Sequence, residues 1–105
     1  MNTADTRLSL DAYRIRVVEK LKVCHDARQA RHLLSEVEAA LAATGLSLRA
    51  QQAFWHGLAT DLEVVAEESP RLLAKDRGAT LKRVLAAAQA DIARHLGILS
   101  SSLSS

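Results

Sequence analysis

Four histidines and a single cysteine are the side chains of this 105-residue sequence best suited to chemistry near neutral pH. Imidazole titrates in that range, and a thiolate is both a nucleophile and a metal ligand. On a helical wheel of about 100° per residue, His32 falls opposite the apolar stripe Leu33, Val37 and Leu41. It is therefore expected to be exposed in mid-helix, among Arg28, Arg31, Ser35 and Glu36. His95 falls on the apolar side of its segment, with Asp91 one turn earlier. An Asp–His pair at i, i+4 can hold a metal, but two ligands do not make a site, and neither His25 nor His56 has an evident place in completing one. His95 thus reads as a core-edge histidine paired with a carboxylate. Cys24 lies on the apolar face of the first helix and reads as a small hydrophobe. As the only cysteine it excludes an internal disulfide and any multi-cysteine metal centre. No Ser/His/Asp order, glycine-rich phosphate loop or paired-carboxylate cleft is present in the pattern. The expectation is a non-enzyme with no catalytic residue, no cofactor and no metal.

The elements that position these side chains are helices. Ala and Leu dominate a 49% hydrophobic content, aromatics make up 3%, and proline occurs once. Helices favour such residues, whereas sheets favour β-branched and aromatic ones. The chain is organised around Ser47–Ser69, in which Leu48, Trp55, Leu58, Leu62 and Val65 recur on one helical face. Phe54 and Trp55 stand in its middle and should anchor the core. The run Ala86-Ala87-Ala88 is expected to face Trp55. Ser9 is the first good N-cap, with Leu8 and Tyr13 at the spacing of a hydrophobic staple, and helix one runs from there to about Cys24. Asp26 caps helix two, with Gln29 as capping-box partner, and Gly45 ends it in a Schellman turn that pairs Leu41 with Leu46. Ser47 caps helix three, which should stop near Glu68 before Ser69-Pro70. Residues 70–76 form either a short extra helix or the start of one helix that runs to 96, with Thr80 as a cap in the first case and Gly97 as the end in both. The resulting fold class is all-α, an antiparallel up-down four-helix bundle whose helices pack against their sequence neighbours. Its domain spans 9–97, between a flexible N-terminus at 1–8 and a flexible Ser-rich tail at 98–105.

Two short motifs carry family resemblances. His32-Leu33-Leu34-Ser35-Glu36 resembles the His-x-Leu-Lys-Gly motif of histidine phosphotransfer domains, matching the His and the Leu and lacking the Lys and the Gly. That resemblance implies a four-helix bundle in which His32 accepts a phosphoryl group from a response regulator's aspartyl phosphate. Trp55-His56-Gly57, in a helical chain of this length, resembles the Trp-x-Gly tripeptide of secreted helical-hairpin virulence proteins, in which it marks the hairpin turn. Here the tripeptide falls inside a periodic helix, and the family's C-terminal Tyr-based export signal is missing, since the only Tyr is Tyr13.

Net charge is +2, mild for a nucleic-acid binder. Basic residues gather in 14–31 and 71–83, and Asp61, Glu63, Glu67 and Glu68 make 61–68 acidic. A helix-turn-helix built on Gly45 would make helix three the reader, and that helix carries only Arg49 as a basic group before it turns acidic, so nucleic acid is not the expected partner. The N-terminus lacks the apolar core of a secretory signal, and no run is long enough to span a membrane. A cytoplasmic protein with no membrane contact and no small-molecule ligand is expected. Ile15 and Val23 fall off the buried face of helix one. With Arg16, Val18 and Lys22 they form the candidate surface for another protein or a second copy, in an adaptor, small chaperone or regulatory subunit.

Overall fold

The computed structural model describes the backbone of residues 3–72 and 75–104 and the side chains of residues 9–68 and 77–103. Four helices follow in order: α1 (Thr3–Lys22), α2 (Ala27–Ala43), α3 (Leu48–Leu72) and α4 (Lys75–Ser104). No strand occurs among the described residues. The chain is an all-α four-helix fold.

The α2 boundaries follow from capping chemistry. Asp26 adopts an extended backbone, and its Oδ1 accepts the Gln29 N–H at 2.8 Å. The Gln29 side chain reaches back to the His25 N–H at 2.7 Å, one residue before the usual capping-box donor. At the other end Gly45 takes φ +74°, and its N–H donates to the Ala42 carbonyl. Leu46 packs half-buried against the core that holds Leu41, as expected for a Schellman ending. The Thr44 hydroxyl donates to the Leu41 carbonyl at 2.8 Å. Ser47 caps α3 by accepting the Ala50 N–H at 3.1 Å.

The other helix ends differ from the sequence expectations. Helix α1 begins at Thr3, so Ser9 lies inside it rather than capping it. Ala4, Arg7 and Leu8 favour a helix before Ser9, and no Gly or Pro in that stretch stops one. Helix α3 continues through Pro70 to Leu72. Proline there lacks an N–H for the preceding turn, so its cost falls on the last turns of α3, which ends two residues later. The stretch 70–76 is accordingly divided between the end of α3 and the start of α4, and residues 73–74 lie outside those described. Thr80, Gly78 and Gly97 all lie within α4. That helix passes Gly97 because Leu99 is buried and Leu96 packs on the core, and because the Gln52 amide donates to the Ser100 hydroxyl at 3.2 Å. These contacts offset the cost of glycine, about 1 kcal/mol.

The core draws on all four helices: Val17, Val18 and Leu21 from α1; Ala30, Leu34, Val37 and Leu41 from α2; Phe54, Trp55, Leu58 and Leu62 from α3; and Leu81 through Leu99 from α4. Helices α3 and α4 make the most extensive contact and run past each other in opposite order. Gln52 meets Ser100, Trp55 meets His95, and the Gln89 amide donates to the Ala59 carbonyl. The next most extensive contact joins α2 to α4, and α1 rests mainly on α3. The sequence neighbours α1/α2 and α2/α3 touch only slightly, contrary to the expectation that neighbours along the chain pack together. Trp55 is the anchor the pattern implies, but its partner on α4 is His95; the Ala86–Ala88 run lies further along, near Leu62.

Candidate functional site

The most concentrated polar chemistry lies at the junction of α2, α3 and α4. His95 is 3% exposed and Asp91, one turn earlier on α4, is 9% exposed. His95 Nε2 lies 3.1 Å from Asp91 Oδ2, and Nδ1 lies 3.0 Å from Glu38 Oε2 on α2. The Trp55 ring stacks on the imidazole at 4.5 Å with 10° between planes. Arg94 closes the group with Nε and Nη2 at 3.2 and 3.1 Å from the second Asp91 oxygen. A neutral imidazole carries one N–H, and here both nitrogens face carboxylate oxygens. A longer approach of Arg94 Nη2 to Nε2, 3.4 Å, competes poorly with the Asp91 contact. Trp55 covers one face of the ring. With both nitrogens engaged and one face covered, the ring holds three helices together and has no free nitrogen for a substrate or a metal.

The Asp91 pairing matches the sequence reading. Glu38 and Trp55 come from other helices and were not part of it. One signal for Glu38 was available: it follows Val37 and so lies on the flank of the α2 stripe next to Leu34.

His32 is exposed on α2 as expected, with Nε2 3.2 Å from Glu36 Oε1. A phosphoryl group on that nitrogen would stand against the carboxylate. His25 and His56 are exposed, and the four histidines do not converge. Among the described residues no three His, Cys, Asp or Glu side chains form a group that could hold a metal. Cys24 is half-buried, and its thiol donates to the Lys20 carbonyl at 3.4 Å. Burial raises the thiol pKa and nearby Asp26 adds to the rise, partly offset by Arg77. Burial likewise raises the Tyr13 phenol, with Glu36 adding to it and Arg16 opposing.

Gly57 has a structural use that explains the Trp-x-Gly tripeptide. A Cβ there would lie 2.8 Å from Arg14 Nη1. The bare backbone lets Arg14 cross α3 to reach Asp61 Oδ2 at 2.8 Å while it also pairs with Asp11 at 3.2 Å. The tripeptide lies in mid-helix and marks no turn.

The candidate protein-binding surface on α1 needs one correction. Ile15 and Val23 are 59% and 64% exposed, Arg16 is exposed, and Lys22 is half-buried with its ammonium 3.1 Å from Glu19. Val18, however, is 7% exposed and belongs to the core. It shares a flank of α1 with Arg14, the flank that α3 covers. The end of α1 beside Val23 is fixed by Arg77 of α4, which donates to the Lys22 carbonyl at 2.8 Å, a cation at a helix C-terminus. Two grooves lie among the described residues. One of about 510 Å³ lies between α1 and the end of α2, around Leu10, Tyr13, Leu41 and Leu46. Another of about 650 Å³ lies between α3 and α4, around Leu62 and Leu85. Among the described residues no helix is long and apolar enough to cross a membrane.

Comparison with known protein families, with curated proteins and with solved structures returned no match.

Proposed function

We propose that this domain is a protein-binding module, an adaptor, small chaperone or regulatory subunit, that engages another protein through the outer side of α1. One observation carries the reading: Ile15 and Val23 are the two most exposed large apolar side chains among the described residues, and both belong to α1 or its C-terminal turn. Scattered surface apolars are ordinary, but the two most exposed stand on α1 and its C-terminal turn, beside the Lys22–Glu19 pair, and supply an apolar contact with a border in which Arg16 is the exposed cation. Such a border favours a partner whose complementary patch is acidic, since charge steers the encounter and fixes its orientation. The buried polar group at His95 supports the reading indirectly: it stiffens α2, α3 and α4 and so presents α1 on a rigid support.

Affinity capture from native lysate after nuclease treatment, run side by side with wild type and Ile15→Asp/Val23→Asp, tests the proposal. A protein retained by the wild type and lost by the variant, with helical circular dichroism unchanged, is expected. The same proteins on both would remove this surface.

A further inference from the structure

We infer that the open groove between α3 and α4 is a self-association surface, which receives a second copy of this chain about a two-fold axis running along the groove. This goes beyond the α1 surface and uses none of its residues. Leu62 and Leu85, buried in the core, form the floor of the groove, and the exposed Ala66 and Ala86 beside them leave space for another helix to approach closely. The two walls differ in charge. Glu63 borders the groove on α3, followed by exposed Glu67, while Lys82 borders it on α4, followed by exposed Arg83. Among the described residues neither Glu63 nor Lys82 has an ion-pair partner within its own chain.

Acid on one wall and base on the other determine which occupant fits. A two-fold axis parallel to the helices lays each α4 over the other copy's α3 at the same height. The pairings of Trp55 with His95 and of Ala59 with Gln89 make Lys82 level with Glu67. Glu63 is four residues away, about 6 Å along the helix, within the reach of a lysine stem. Each lysine therefore meets the other copy's two glutamates, and the contact forms twice by symmetry. An axis across the groove would set α3 on α3 and glutamate on glutamate, which like-charge repulsion disfavours. A second copy supplies the matching order of charges without any further requirement.

Sedimentation velocity over a concentration series tests this on the full chain. Wild type is expected to shift towards twice the 11.4 kDa chain mass as concentration rises. Ala86→Glu, at an exposed position, should remain monomeric with unchanged circular dichroism. Glu63→Lys and Lys82→Glu should each weaken the dimer by at least about tenfold, because each sets like charges opposite each other. A one-to-one mixture of those two variants should restore it. In the mixed dimer the two substituted side chains, of opposite charge, face each other at one contact, and the native Lys82 and Glu63 meet at the other. A wild type that stays monomeric up to millimolar concentration would overturn the inference. So would a dimer unaffected by Ala86→Glu, or one weakened by both charge variants but not restored by mixing them.

Discussion

His95 joins three helices through its two nitrogens and one face, and its removal should be felt across the fold. His95→Ala leaves Asp91 buried with Arg94 as its remaining side-chain partner and uncovers Trp55. The expected loss is about 3 kcal/mol, the scale for breaking one partner out of a buried pair. Glu38→Gln should cost under about 1 kcal/mol, because that carboxylate is half exposed. Urea unfolding followed by Trp55 fluorescence measures both, and a His95→Ala loss no larger than that of Glu38→Gln would contradict the account. Cys24 offers a pH-dependent reading. Its raised pKa keeps the thiol protonated to higher pH in the folded chain, so its alkylation rate should rise with a midpoint above that of the urea-unfolded protein. Coincident midpoints would show that burial leaves it unaffected. At this scale the sequence disclosed what is local. The Asp91–His95 pair lies one turn apart on one helix, whereas Glu38 and Trp55 reach His95 only through the packing of other helices. The clearance that Gly57 gives Arg14 was equally hidden, because it depends on where α1 crosses α3.

Helix ends divide according to whether a side chain or the tertiary packing decides them. Asp26, Gly45 and Ser47 act through bonds within three residues, and these boundaries were legible. Gly97 and Pro70 looked like stops, but packing and position overrode them. Glycine substitutions separate the two cases by sign. Gly45→Ala forces a Cβ into a left-handed conformation and should cost about 1 kcal/mol. Gly78→Ala and Gly97→Ala, helical and with nothing within 4 Å of the added Cβ, should each stabilise by up to about 1 kcal/mol. Thermal unfolding of the three variants decides it, and shifts of one sign throughout would contradict the reading of these ends.

For the whole molecule, periodicity and composition were enough for an all-α fold of four helices, since α2, α3 and α4 each show an apolar face within their own stretch. Which helices meet was not legible. Short connections suggested neighbours in sequence, yet α4 became the hub, contacting each of the other three helices, because its thirty residues present core positions from Leu81 to Leu99. Helix α1, held at its end by Arg77 and at its middle by Asp61, is left with Ile15 and Val23 facing outwards. Val18 misled because the wheel of α1 alone does not show that α3 covers that flank. The measurement that most directly tests the proposed function is amide chemical-shift mapping of the isotope-labelled protein titrated with the captured partner. The account predicts perturbations concentrated between Ile15 and Val23, with the Trp55 indole signal unmoved. Perturbations confined to α3 and α4, with residues 15–23 unchanged, would contradict it.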